Sequence, residues 1–85
     1  MTTDELRTAI LEELAAIAPE SAGASIGDDE DLREVLDLDS MDIYNLVVAL
    51  STRLGVEISD ADVGKLTTLR GGIDHLQTVL ADRHG

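Results

Sequence analysis

The sequence predicts an all-α fold: a small four-helix bundle of three main helices and one short helix, with a long first loop. Apolar residues recur at three- and four-residue steps in three separate segments, and no segment alternates with the two-residue period of a strand. Neither an internal repeat nor a low-complexity tract interrupts the pattern. The 85 residues permit one domain, expected over 1–85 with its core at about 3–81. A chain of this size buries only about 60–65% of its unfolded surface, so the core must be simple.

The first helix rests on Leu6, Ile10, Leu11, Leu14 and Ile17, with Arg7, Glu12 and Glu13 on other faces. Thr2 followed by Glu5 has the form of a capping box, and Pro19 marks the stop because a residue preceding proline is pushed out of the helical region. From about residue 20 to 39 the period is lost: Ser21, Gly23, Ser25 and Gly27 lead into Asp28-Asp29-Glu30-Asp31. So long a loop in a small domain must pack on the core or serve function. Ile26, Leu32, Val35, Leu36 and Leu38 are its apolar anchors, residues 31–36 are expected to form a helical turn, and the acidic run is expected to be a solvated face.

Ser40 opens the central helix, where Met41, Ile43, Leu46, Val47, Leu50 and Leu54 cover more than one face and Gly55 supplies the stop. Beyond Val56-Glu57-Ile58, Ser59 with Asp62 predicts a short capped helix to about Lys65. Thr67 or Thr68 then caps a last helix carrying Leu69, Ile73, Leu76, Val79 and Leu80. Gly71 and Gly72 fall in its first turn, where each would cost about 1 kcal/mol against Ala if exposed and soften the start.

Charge narrows the function classes. Six Lys and Arg against eighteen Asp and Glu give a net charge of −12, which disfavours phosphate backbones and anionic lipid and favours basic protein surfaces. Tyr44 is the only aromatic, so no platform exists for stacking bases, and the absence of cysteine excludes disulfides and thiolate metal sites. The N-terminal stretch lacks a leader pattern and no apolar run approaches the ~18 residues of a membrane span. A soluble, cytoplasmic monomer is expected, with neither nucleic acid nor membrane as partner.

Two chemistries fail on spacing. Ser40, His75 and several Asp residues are present, but Ser40 lacks the Gly-x-Ser-x-Gly elbow and nothing brings His75 to it, so no catalytic residue is assigned. His75 is expected at the surface or boundary of the last helix. Asp37-Leu38-Asp39-Ser40-Met41 starts like a calcium loop but lacks the third oxygen ligand and the following glycine, so no metal site is assigned.

Ser40 itself, within Asp39-Ser40-Met41-Asp42, admits two readings: an ordinary N-cap, or a displayed hydroxyl whose esterified anion would face the orphan N–H groups and positive end of a helix. The wider pattern bears on the choice. Residues 31–42, the following helix to Leu54, Gly55-Val56-Glu57-Ile58-Ser59-Asp60-Ala61-Asp62 and Leu66-Thr67-Thr68-Leu69 together resemble an acyl carrier protein. That resemblance, which spans about residues 31–80, implies that Ser40 accepts a 4′-phosphopantetheine arm from coenzyme A through a magnesium-dependent phosphopantetheinyl transferase. The arm's thiol would carry acyl groups as thioesters, and the chain would not be an enzyme.

The resemblance also implies partners, namely acyl-loading and synthase enzymes with basic docking patches. Asp39, Met41, Asp42, Tyr44 and Asn45 are the candidate recognition residues, and Met41, Val47, Leu50 and Leu69 could line a slot that shelters an acyl chain. The sequence departs from the fatty-acid carriers it resembles at several positions. Asn45, Ser51 and Thr52, followed by Arg53, stand where glutamates commonly line the central helix, Asp37 replaces a common glycine, and Ser59 a common proline. The resemblance implies a polyketide, fatty-acid or specialised lipid pathway, and these departures argue against a general role in primary fatty-acid synthesis and for a dedicated set of enzymes. An aminoacyl or peptidyl carrier, or an unmodified acidic helical interaction module, are the alternatives.

Overall fold

The computed structural model describes residues 2–20 and 25–84, with side chains through residue 81. Helix α1 spans Thr3–Ile17, α2 Leu32–Val35 and α3 Ser40–Leu54; a 3-10 helix covers Asp60–Thr67 and α4 runs over Leu69–His84. No strand occurs among the described residues, and no helix among them is long and apolar enough to cross a membrane.

The three long helices each turn one apolar stripe inward. Leu6, Ile10 and Leu14 of α1 meet Ile43, Leu46, Val47 and Leu50 of α3 and Leu69, Ile73 and Leu76 of α4 in one cluster. α1 packs on both α3 and α4, and the 3-10 helix bridges α3 and α4 with Leu66 buried beneath it. The largest fully buried side chains are all leucine, a residue that combines good helix propensity with about 1.5–3 kcal/mol for complete burial. Met41, expected to point inward, does not join them: it is 64% exposed, because the helical repeat from Ile43 and Leu46 carries it to the opposite face.

Both ends of α1 follow the sequence reading. Thr2 Oγ1 accepts the Glu5 N–H at 3.1 Å while Glu5 Oε1 accepts the Thr2 N–H at 2.9 Å, and Ala18 closes the helix ahead of Pro19. The backbone hydrogen bond lowers the Glu5 carboxyl below its ordinary range.

The first loop is pinned, while Asp29 and Glu30 of its acidic run stay exposed as expected. Asp28 accepts from Arg7 of α1 at 2.7 Å, Asp29 accepts from Arg70 of α4 at 2.6 Å, and the Arg70 N–H reaches the Asp28 carbonyl at 2.9 Å. Asp31 caps α2 through the Arg33 N–H at 2.9 Å. The acidic run therefore clips α1, α4 and α2 together, a tertiary arrangement with no local sequence signature. The part of the expected loop at residues 21–24 lies outside the described residues.

The second half of the chain differs from expectation in detail. The short helix is a 3-10 helix that extends to Thr67, and Ser59 donates its hydroxyl to Asp62 at 3.1 Å instead of capping a backbone N–H. Thr68 is the residue that caps α4, accepting from the Gly71 N–H at 3.0 Å, while Thr67 Oγ1 donates to the Gly64 carbonyl. Neither glycine at the start of α4 is exposed. Gly72 is buried, a Cβ there would lie 3.3 Å from Ile10 Cδ1, and one at Gly71 would overlap the Lys65 carbonyl. Both glycines permit close packing of α4 on α1 and the 3-10 helix.

Helices α2 and α3 end alike. At α3, Gly55 adopts a left-handed φ of 65° and the Val56 N–H reaches the Ser51 carbonyl at 3.1 Å. At α2 the Leu38 N–H reaches the Arg33 carbonyl at 2.9 Å, and the left-handed residue, with φ of 54°, is Asp37. The left-handed conformation costs an L-residue about 1–2 kcal/mol. Asp37→Gly should therefore raise stability by about 1 kcal/mol; calorimetry finding an unchanged or lower unfolding midpoint would show that the Asp37 side chain contributes a compensating interaction.

Candidate attachment site at the start of α3

Asp39, not Ser40, is the N-cap of α3. Its Oδ1 accepts the Asp42 N–H at 2.9 Å, and Asp42 Oδ2 accepts the Asp39 N–H at 3.2 Å. Each acid thus satisfies an orphan donor at the positive end of the helix, which accounts for two carboxylates flanking Ser40. Ser40 occupies the first helical position, exposed, and no hydrogen bond holds its hydroxyl among the described residues. The cap reading of Ser40 is overturned for this physical reason: a carboxylate one residue earlier already closes the turn.

A groove of about 110 Å³ opens beside Ser40, lined by Arg33 from α2, Ile43 from α3, and Val63, Gly64 and Thr67 from the 3-10 helix. Arg33 is oriented by a bidentate pair in which Nε and Nη2 donate to Asp31 at 3.1 and 2.9 Å. Pairing raises the Arg33 guanidinium and lowers the Asp31 carboxyl, the shared side-chain hydrogen bond being the main cause of both shifts. A cation thus stands at the rim of a groove whose other walls are largely apolar. Arg33, Val63, Gly64 and Thr67 carried no signal in the sequence, because they converge on Ser40 only through packing.

The other predicted residues separate into two groups. Val47, Leu50 and Leu69 are buried in the closed core. Met41 and Tyr44, 64% and 49% exposed, lie with exposed Asn45 on the outer face of α3, joined there by Val48 at 47%. Val48 escaped the sequence reading, although its spacing of four from Tyr44 and seven from Met41 defines the same stripe. Val35 of α2 is a further exposed apolar side chain.

His75 lies at the boundary of α4, as expected. Its side chain is 9% exposed, its Nε2 is buried without a hydrogen-bond partner, and the nearest anionic oxygen is Asp62 Oδ2 at 3.7 Å. It lines a different groove from the one at Ser40, so the two do not form a nucleophile and base. Among the described residues no group of three His, Asp or Glu side chains could hold a metal ion.

The sequence pattern of the phosphopantetheine attachment site family matches residues 4–76. The chain belongs to that family. It is similar to polyketide-8 synthase acyl carrier protein 2 of Streptomyces avermitilis, with 33% identity over 81 residues covering 95% of this chain and 93% of that one. The acyl carrier protein of Campylobacter hominis is 29% identical over 76 residues, covering 89% and 90%. The solution structure of the acetyl actinorhodin acyl carrier protein from Streptomyces coelicolor superposes with a TM-score of 0.66 at 32% identity, covering 98% of this chain and 94% of that one.

The protein is an acyl carrier that bears 4′-phosphopantetheine, and carriers of this kind present substrates to enzymes rather than transform them. As a family member it meets the transferase that loads it and the synthases that use it. The groove beside Ser40 suits such a group: Ile43 and Val63 offer walls for an aliphatic arm, and Arg33 stands at the rim with its Nη1 not engaged by Asp31.

Because the cap belongs to Asp39, Asp39→Ala should lower stability by about 1 kcal/mol in chemical denaturation. Ser40→Ala should stay within about 0.5 kcal/mol of the parent. The reverse order would return the capping role to Ser40.

Proposed function

We propose that Ser40 bears the 4′-phosphopantetheine group and that the carrier serves a dedicated pathway of polyketide type. The observation that carries this reading is the exposed, unbonded hydroxyl of Ser40 at the first position of α3, in a turn already capped by Asp39 and Asp42. Attachment there disturbs no existing hydrogen bond. When bound, the group supplies a terminal thiol that holds acyl cargo as a thioester, in a chain that has no cysteine of its own. The polyketide assignment draws on the Streptomyces relatives and on Asn45, Ser51 and Thr52 along α3, which leave that helix poor in acids.

Docking follows from the same surface. Met41, Tyr44 and Val48 offer an apolar stripe beside Ser40, while the net charge of −12 steers basic partner surfaces toward the molecule. Under this reading the carrier acts as a monomer in the cytoplasm and its partners are proteins.

Incubation with coenzyme A, magnesium and a broad-specificity transferase should add the mass of one phosphopantetheine, and Ser40→Ala should remove that addition. Absence of the addition with several transferases, or its persistence in Ser40→Ala, would displace Ser40 as the attachment point. Tyr44→Ala should lower the transferase kcat/KM by about tenfold, chiefly through KM, as expected of an interface anchor worth more than 1 kcal/mol. An unchanged value would move docking off the stripe.

A further inference from the structure

We propose that a second groove, separated from Ser40 by Gly64, receives the cargo end of the arm, and that His75 there hydrogen-bonds a short acyl group carrying a neutral keto or hydroxyl oxygen. The inference rests on Ser40 bearing the arm. The second groove, of about 410 Å³, lies between the 3-10 helix and α4 and is lined by Gly64, Lys65, Thr68 and Gly71 together with Asp74, His75 and Thr78. Gly64 belongs to both grooves, so a chain leaving Ser40 along the first passes to the second across a residue without a side chain.

Nothing in the fold requires glycine at that crossing. Gly64 does not have a positive φ, and a Cβ built on it would meet nothing within 4 Å. Glycine inside a helical segment is unfavourable relative to alanine. Gly71 and Gly72 have packing reasons of their own, whereas bareness at Gly64 gains only an open passage.

Of the residues that line the second groove, His75 carries a buried polar atom without a hydrogen-bond partner. Thr68 Oγ1 already accepts from the Gly71 N–H at 3.0 Å and Thr78 Oγ1 already donates to the Asp74 carbonyl at 3.1 Å. Asp62, the anion nearest His75, is held by Lys65 at 3.0 Å and by Ser59 at 3.1 Å. Among the described residues His75 Nε2 alone is a buried side-chain polar atom without a partner, an unfavourable state. A ligand oxygen that draws Nε2 into a hydrogen bond relieves that state, and a saturated acyl chain cannot.

Charge selects which oxygen. Asp62 on the 3-10 helix and Asp74 on α4 flank His75, and Lys65 is already paired with Asp62, so a free carboxylate is disfavoured and a neutral carbonyl or hydroxyl is not.

The test compares two loaded forms of equal carbon count, made with a transferase from acetoacetyl-coenzyme A and butyryl-coenzyme A. Intact mass and peptide mapping establish that each arm is on Ser40. Nitrogen-15 NMR of the acetoacetyl form should show displaced amide signals at Gly64, Thr68 and Gly71 and a displaced His75 Nε2 signal relative to the butyryl form. Gly64→Val, with the loaded fraction read by intact mass, should lose that difference, as should His75→Phe. Identical His75 and Gly64 signals in the two loaded parent forms, with the arm on Ser40, overturn the second groove. An arm found elsewhere overturns the Ser40 reading first and this inference with it. The parent comparison needs no variant, so it decides even if His75→Phe fails to fold.

Discussion

A core closed almost entirely by leucine is the constraint on which the rest of the structure depends. With no Phe or Trp to fill volume, three helices must approach closely enough for Leu6 and Leu14, Leu46 and Leu50, and Leu69 and Leu76 to exclude water between them. Close approach at the start of α4 in turn demands small residues, and Gly71 and Gly72 meet that demand against Lys65 and Ile10. The 3-10 helix is held by the same seam through Leu66, so the wall of the groove beside Ser40 is positioned by the core rather than by its own loop.

Polar interactions then fix what the core leaves free. The crossing from α1 to α3 is held by Arg7 with Asp28, Arg70 with Asp29 and the backbone bond from Arg70 to Asp28. Each exposed ion pair is worth only about 0–1 kcal/mol, but together they tie the loop to α1 and α4. Arg53 of α3 likewise reaches Glu12 and Glu13 of α1 at 2.7 and 3.3 Å. In a chain of net charge −12, cations are placed where they bridge helices, and the acids left over form the field that partners meet.

Local patterns were legible because local physics decides them. The box formed by Thr2 and Glu5, the stop before Pro19, the left-handed Gly55 and the cap by Thr68 each involve residues within a few positions of one another. The start of α3 was legible only in part: Ser and Asp are both good caps, and which one closes the turn depends on whether residue 39 or 40 departs from helical geometry. Met41 was misplaced because one apolar residue more than a stripe requires can sit on either face. His75 lies at the boundary of α4 as expected, and its approach to Asp62 of the 3-10 helix is a tertiary relation that the pattern of α4 does not carry.

The sequence by itself determined the helical class, the boundaries of the long helices, the acidic surface and the resemblance centred on Ser40, since composition, period and short-range hydrogen bonding are written along one dimension. Tertiary structure decided that the face of α3 carrying Met41, Tyr44 and Val48 turns outward and that Arg33, Val63, Gly64 and Thr67 gather at Ser40. Those relations arise where α2, α3 and the 3-10 helix converge, and convergence depends on how leucines far apart in the chain pack against one another.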